Sequence, residues 1–154
     1  MSVYDLSGEY ATIPQAFITE ARKTMAGSMQ RIEHCLGQIT IDDAWWRPHD
    51  SMNAIGNIIL HLCGNLSQWL IAGVGQQPYT RNRPAEFAQR ARLPVNDLRQ
   101  RLRGVIDQAD AILASQNEST LLTMRRVQGL DVTILAAIFH AVSHLEGHAQ
   151  EIIY

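Results

Sequence analysis

His140-Ala-Val-Ser-His144-Leu-Glu-Gly-His148-Ala-Gln-Glu151 carries three imidazoles at intervals of four residues. At about 100° per residue, each step of four turns an α-helix by only about 40°, so the three form one stripe. Ile134, Ala137, Ile138, Ala141, Val142, Leu145, Ala149, Ile152 and Ile153 fill a broad apolar sector of the same helix, while Ser143, Glu146 and Gln150 point the other way. His144 and His148 lie on the border of the apolar sector, and His140 lies a step further toward the polar side. His144 and His148 are therefore the candidates for an inward-facing pair. Two imidazoles at i, i+4 suit a metal ion, but a tetrahedral site needs a third ligand from elsewhere. His61 is that candidate.

His61 falls in a segment predicted as a helix from near Asn53 to about Ala72. Ile55, Ile58, Ile59, Leu62, Leu66, Trp69 and Leu70 form its core face, and Asn57, His61, Asn65 and Gln68 follow one another on one flank. That flank is either a solvated face or the polar wall of a pocket. The paired histidines of the last helix favour the pocket.

Two further helices complete the pattern. Thr12-Ile13-Pro14-Gln15 reads as a helix start, with Thr12 as N-cap, and Phe17, Ala21, Met25, Ile32, Leu36 and Ile39 recur at helical spacing to about Gln38. Asn96 is the expected cap of the third helix, with Asp97 favourable to the helix dipole, and Leu98, Leu102, Val105, Ile106, Ala109, Ile112 and Leu113 supply its stripe to near Gln116. The fourth is expected to begin near Leu130 or Asp131. The predicted fold is all-α: a four-helix bundle with long crossover loops over 73–94 and 117–129, the second carrying an extended piece at 121–127.

The links hold their own signals. Thr40 to Asn53 breaks the helical period yet contains Trp45 and Trp46, which argues for a segment pinned to the bundle as a hydrophobic lid; a pocket wall is the less favoured reading. Arg81 and Arg83 could hold an anion bidentately, but loop arginines more often meet solvent or local carboxylates. His49 has no visible partner.

With 154 residues, 46% hydrophobic and 18% charged, the chain is expected to form a single domain, 1–154. Its formal charge of -2 is spread, with no basic footprint for nucleic acid and no polybasic membrane anchor. No apolar run approaches the roughly 18 residues of a spanning helix, and Met1 to Glu9 lacks the apolar core of a signal peptide, so a cytoplasmic protein is expected. Cys35 and Cys63 stand far apart and outside any C-x-x-C pattern, which fits reduced thiols.

Three neutral imidazoles suit zinc, nickel or iron and leave at least one coordination position open. An ion so held lowers the pKa of bound water to about 7 or deprotonates a bound thiol. The order His144-Leu-Glu-Gly-His148 is not the H-E-x-x-H of metalloproteases: Glu146 projects about 200° from His144 and cannot be its general base. Glu151 lies on the histidine stripe, where it either orients a ligand histidine or stands as a solvated helix-end carboxylate. Cys63 projects about 200° from His61 and is not a further ligand.

Asn57-Ile-Ile-Leu-His61-Leu-Cys-Gly-Asn65, the His140, His144, His148 series and the preceding Trp45-Trp46-Arg47-Pro48 together resemble the DinB superfamily of four-helix-bundle metalloproteins. Arg81-Asn-Arg-Pro-Ala-Glu-Phe87 and Val127-Gln-Gly129 resemble a branch of unknown function within it. The resemblance covers nearly the whole chain. It implies an up-down-down-up bundle, frequent homodimers, and a divalent metal on His61, His144 and His148, with His140 lining the pocket. Relatives include thiol-dependent S-transferases and a thiol-dependent maleylpyruvate isomerase. Where they often read Gly-Gln-Ile after the last ligand, this chain has Gln150-Glu151-Ile152.

Two functions follow as expectations. The first is a metal-dependent transferase, or a related isomerase or hydrolase, joining a small thiol to an electrophilic substrate, with Asn57, Asn65, Gln68, His140 and Glu151 shaping the pocket. The alternative is a non-catalytic metal-binding or dimeric interaction module.

Overall fold

Thr12 opens helix α1 (Ile13–Leu36) by accepting the Gln15 amide on its hydroxyl, and Pro14 sits in the first turn, where its missing N–H costs no hydrogen bond. Gln15 returns its side-chain oxygen to the amide of Ala11 rather than to the cap itself. The computed structural model describes residues 8–154, so most of the polar lead, residues 1–7, lies outside the described residues. Ile18, Ala21, Met25, Met29, Ile32 and Leu36 form the buried stripe of α1.

A capping box between Thr40 and Asp43 starts a short helix, α2 (Ile41–Trp45), inside the segment expected to be irregular. Its two tryptophans part company. Trp45 is buried and donates its indole N–H to the Leu93 carbonyl at 2.9 Å, whereas Trp46 is 66% exposed. Trp45 thus acts as the pin of a lid, because its N–H finds a partner where its ring is dry.

Helix α3 (Ile55–Leu66) is buried on every side from Gly56 to Leu66. The chain then widens into a π-helix, Ser67–Val74, a rare geometry that occurs frequently at functional sites. Helix α4 (Arg83–Ala88) follows inside the first long link, its N-terminus capped by Asn82 with Pro84 in the first turn. Helix α5 (Val95–Ala114) starts one residue before the expected cap: Pro94 is the N-cap, and Asn96 lies in the first turn, accepting from Arg99. A further short helix, α6 (Glu118–Leu121), precedes a hairpin of β1 (Met124–Val127) and β2 (Leu130–Thr133).

That hairpin moves the start of the last helix. Gln128 and Gly129 take φ of 51° and 80°, the two left-handed positions that a tight two-residue turn demands. Leu130 to Thr133 therefore pair back onto β1, and α7 (Ile134–Ile153) begins only after Thr133, whose hydroxyl accepts the Ala136 amide. Extended structure was expected only at 121–127. The return strand was hidden because Leu130 and Val132 also continue the helical apolar pattern.

The described residues are thus mainly helical, with one small sheet. Helix α1 packs on α5 and α7, α3 packs on α5 and α7, and the π segment continues both of the latter contacts. Between them Met25, Met29, Ile32, Ile59, Leu62, Leu66, Leu70, Leu98, Leu102, Leu113, Ile134 and Ile138 are fully buried. No helix among the described residues is long and apolar enough to cross a membrane. Cys35 and Cys63 are free thiols.

Candidate metal centre

The centre forms where α3 meets α7, because each helix presents polar groups on a flank that the other covers. His61 is buried, His144 and His148 half-buried, and their ligand atoms all lie within 4.8 Å of one another. The Nε2 atoms of His61 and His144 stand 3.2 Å apart. With metal–nitrogen bonds of about 2.0–2.1 Å, two tetrahedral ligands of one ion would be separated by roughly 3.3 Å. His148 closes the group, its ring centroid 5.1 Å from that of His61 and 4.6 Å from that of His144.

Carboxylates decide which nitrogen of two of these rings is available. His61 Nδ1 lies 2.9 Å from Glu86 Oε2, and a carboxylate only accepts, so the proton sits on Nδ1 and the Nε2 lone pair faces the other histidines. His148 Nδ1 is likewise 2.7 Å from Glu151 Oε2. Both contacts have the form by which metal-ligating histidines are oriented from behind.

Glu86 comes from α4 and is itself held. Arg81 donates Nε to Oε1 at 2.7 Å and Nη2 to Oε2 at 2.8 Å, a two-pronged pair with the carboxylate 9% and the guanidinium side chain 5% exposed. Its Nη2 also approaches His61 Nδ1 to 3.0 Å, so two donors converge on the shared acceptor Oε2. The remaining prong, Nη1, donates to Gln68 Oε1 at 3.0 Å. Gly64 makes room for this pair: a Cβ there would lie 1.9 Å from Glu86 Oε1 and 2.9 Å from Arg81 Nε. The arginine of the loop therefore meets a local carboxylate, and that carboxylate backs a candidate ligand.

Burial pushes the His61 imidazolium down from its ordinary pKa against the opposing pull of Glu86. His144 is lowered to about 4, first by burial and then by the neighbouring His148, His61, His140 and Arg81. Both effects favour the neutral imidazole, the form that binds metal.

A family model described as "Protein of unknown function (DUF1572)" matches residues 12–154. The chain belongs to the DUF1572 family. No curated protein matches it in sequence. Among solved structures, the conserved protein of a locus from Enterococcus faecalis superposes with a TM-score of 0.73, at 16% identity, over 88% of this chain and 92% of that one. At that identity the likeness shows a shared fold.

The other polar residues of this DUF1572 chain divide by position. Asn57 is buried and ties α4 to α3, donating to the carbonyls of Glu86 at 3.0 Å and Gln89 at 3.1 Å and accepting from Ala54 and Arg47. Gln68 joins Arg81 to Gln128 of the hairpin turn. His140 is exposed and stacks on Trp69 at 4.0 Å, its ring 6.0 Å from that of His144, outside the group of three. Asn65 is buried with its side-chain oxygen unpaired. Glu146 turns away from the histidines to Ser28, at 2.5 Å, and Arg31 on α1. Cys63 lies on the other face of α3, where burial raises its thiol to about 12, beside a cleft of about 480 Å³.

Sequence reading missed Glu86 as a functional residue. Its partner His61 is 25 residues earlier, and only the folding of α4 back onto α3 joins them. The available signal was the capped start Asn82-Arg-Pro, which marks a helix short enough to deliver one inward carboxylate a turn later.

Proposed function

We propose that this DUF1572 protein is a DinB-like four-helix bundle that holds one divalent ion on His61, His144 and His148 and uses it to activate a small thiol for transfer to an electrophile. The observation that carries the reading is the convergence of three imidazoles whose ligand atoms lie within 4.8 Å of one another. The donor set fits such an ion: two of the three rings have their Nδ1 protons engaged by carboxylates, and the third is held neutral by its surroundings. The four long helices, each packed on two others, support the bundle assignment.

Nitrogen ligands favour zinc, nickel or iron over magnesium or calcium. An ion bound by three protein ligands supplies an open position at which a thiol is deprotonated at neutral pH. The chain's own groups supply the rest. Glu86 and Glu151 fix ring orientation, and Phe87 covers His61 at 4.8 Å between centroids. We take the protein to work as a cytoplasmic homodimer.

Elemental analysis of purified wild type and His144→Ala, followed by a screen of small thiols against electrophiles, tests the proposal. Near-stoichiometric metal lost in the variant, with thiol-dependent turnover lost alongside it, is the expected result. Metal retained without turnover on any thiol would leave a binding module. Wild type unable to take up zinc, nickel or iron would end the metal reading.

A further inference from the structure

The chain has 13 lysines and arginines, and among the described residues all but one of them meet a partner. On α5, Arg99 donates to Asn96 and Arg103 pairs with Glu33 of α1. Those on other elements donate to a carboxylate, an amide or a carbonyl, or lie over an aromatic ring. Arg101 is the exception, and it lines the cleft of about 480 Å³ beside Cys63. That volume falls within the roughly 300–1,000 Å³ of sites for small molecules.

Three segments build this cleft. Leu60 and Cys63 come from the side of α3 turned away from His61, Arg101 and Val105 stand one turn apart on α5, and Tyr79 and Thr80 belong to the link before α4. Leu60 and Cys63 are buried and Val105 is partly buried, which gives an apolar floor; Arg101, Tyr79 and Thr80 are exposed at the rim.

Only two charged groups line it, Arg101 and Glu86. The charge of Glu86 is already answered, because Arg81 donates to both of its oxygens. Arg101 is not answered, so the cleft offers a ligand one positive charge. A guanidinium takes a carboxylate through two parallel N–H···O bonds. A phosphate dianion needs a second cation and would meet the Glu86 carboxylate in its place.

We infer that this cleft binds a small monocarboxylate with an apolar body, its carboxylate on Arg101 and its body against Leu60, Cys63 and Val105. The site is separate from the three histidines and does not depend on their holding a metal.

The probes are phenylacetate and hexanoate, titrated into ¹⁵N-labelled protein and followed by the backbone amide shifts. Phenylacetamide serves as the uncharged match of the first probe and methyl phosphate as the dianion. Both carboxylates are expected to move the amides of Cys63, Thr80 and Val105 saturably. Arg101→Ala should weaken both by about 10–100-fold, the range for hydrogen bonds to a charged group, and phenylacetamide should lose as much on wild type. Arg101 is exposed and unpaired, so the variant should keep the wild-type thermal midpoint. Val105→Trp, which fills the cleft from a second position, should abolish binding. The shifts should persist in His144→Ala, which separates this inference from the metal reading. No saturable shift with either carboxylate, equal affinity in Arg101→Ala, equal binding of phenylacetamide, tighter binding of methyl phosphate, or shifts centred on His144 and His148 would each overturn it.

Discussion

Glu86 Oε2 lies 2.9 Å from His61 Nδ1 although 25 residues separate them in the chain. The carboxylate does two things at once: it completes the Arg81 pair and fixes the tautomer of His61. Replacing it by glutamine keeps the volume but removes the charge that Arg81 and His61 share. Glu86→Gln should weaken zinc binding by about 10–100-fold. Glu86→Ala should also destabilise the fold by about 3–5 kcal/mol, because it leaves a buried guanidinium unpaired. Chelator competition and urea unfolding measure the two effects separately, and an alanine variant of wild-type stability would refute the buried pairing.

Gly64 has no side chain because Glu86 and Arg81 occupy that space. A methyl group 1.9 Å from a carboxylate oxygen must displace the pair, and with it the support of His61. Gly64→Ala should cost about 1–3 kcal/mol of stability despite alanine's better helix propensity. Thermal unfolding decides the sign, since a stabilised variant would show that the pair can move aside freely.

Glu146 belongs to the junction of α7 with α1 and not to the centre. It accepts from Ser28 and Arg31 across the helix interface. Glu146→Ala should lose about 1.5–3 kcal/mol, the range for hydrogen bonds to a charged group, while metal content stays at the wild-type level. A variant that loses metal but keeps its stability would contradict this placement.

Acid should weaken the metal-free fold through His144. Its ordinary pKa is 6.5, and in the folded protein burial, then the neighbouring histidines and Arg81, lower it to about 4. Between those values the unfolded chain binds a proton that the folded chain does not, so the stabilisation present above about pH 6.5 is lost as pH falls toward about 4. His61 shifts in the same direction. Urea midpoints of chelator-treated wild type and His144→Gln at pH 7, 5.5 and 4.5 test this: the variant should show the shallower decline, and parallel curves would exclude His144 as a source.

Much of the helical framework was legible because burial imposes a period on the chain. The stripes through Met25, Ile59, Leu102 and Ile138 recur at helical spacing, and all four side chains are fully buried. Boundaries were less legible where two signals coincide. Asn96 looks like a cap, yet Pro94 holds the cap position and Asn96 already lies inside the first turn. Leu130 and Val132 continue an apolar helical pattern, but the turn at Gln128 and Gly129 sends them back along β1.

Sequence by itself determined which imidazoles share a helix face, because that depends only on the rotation per residue. It also left open whether the flank of Asn57, His61, Asn65 and Gln68 met water or protein. Tertiary structure decided that question: α4 and α7 cover α3, so Asn57, His61 and Asn65 are buried. It alone brought Glu86 and Arg81 to His61. Periodicity is a local property of the backbone, whereas the partner of a buried polar group is chosen by whichever distant segment packs against it.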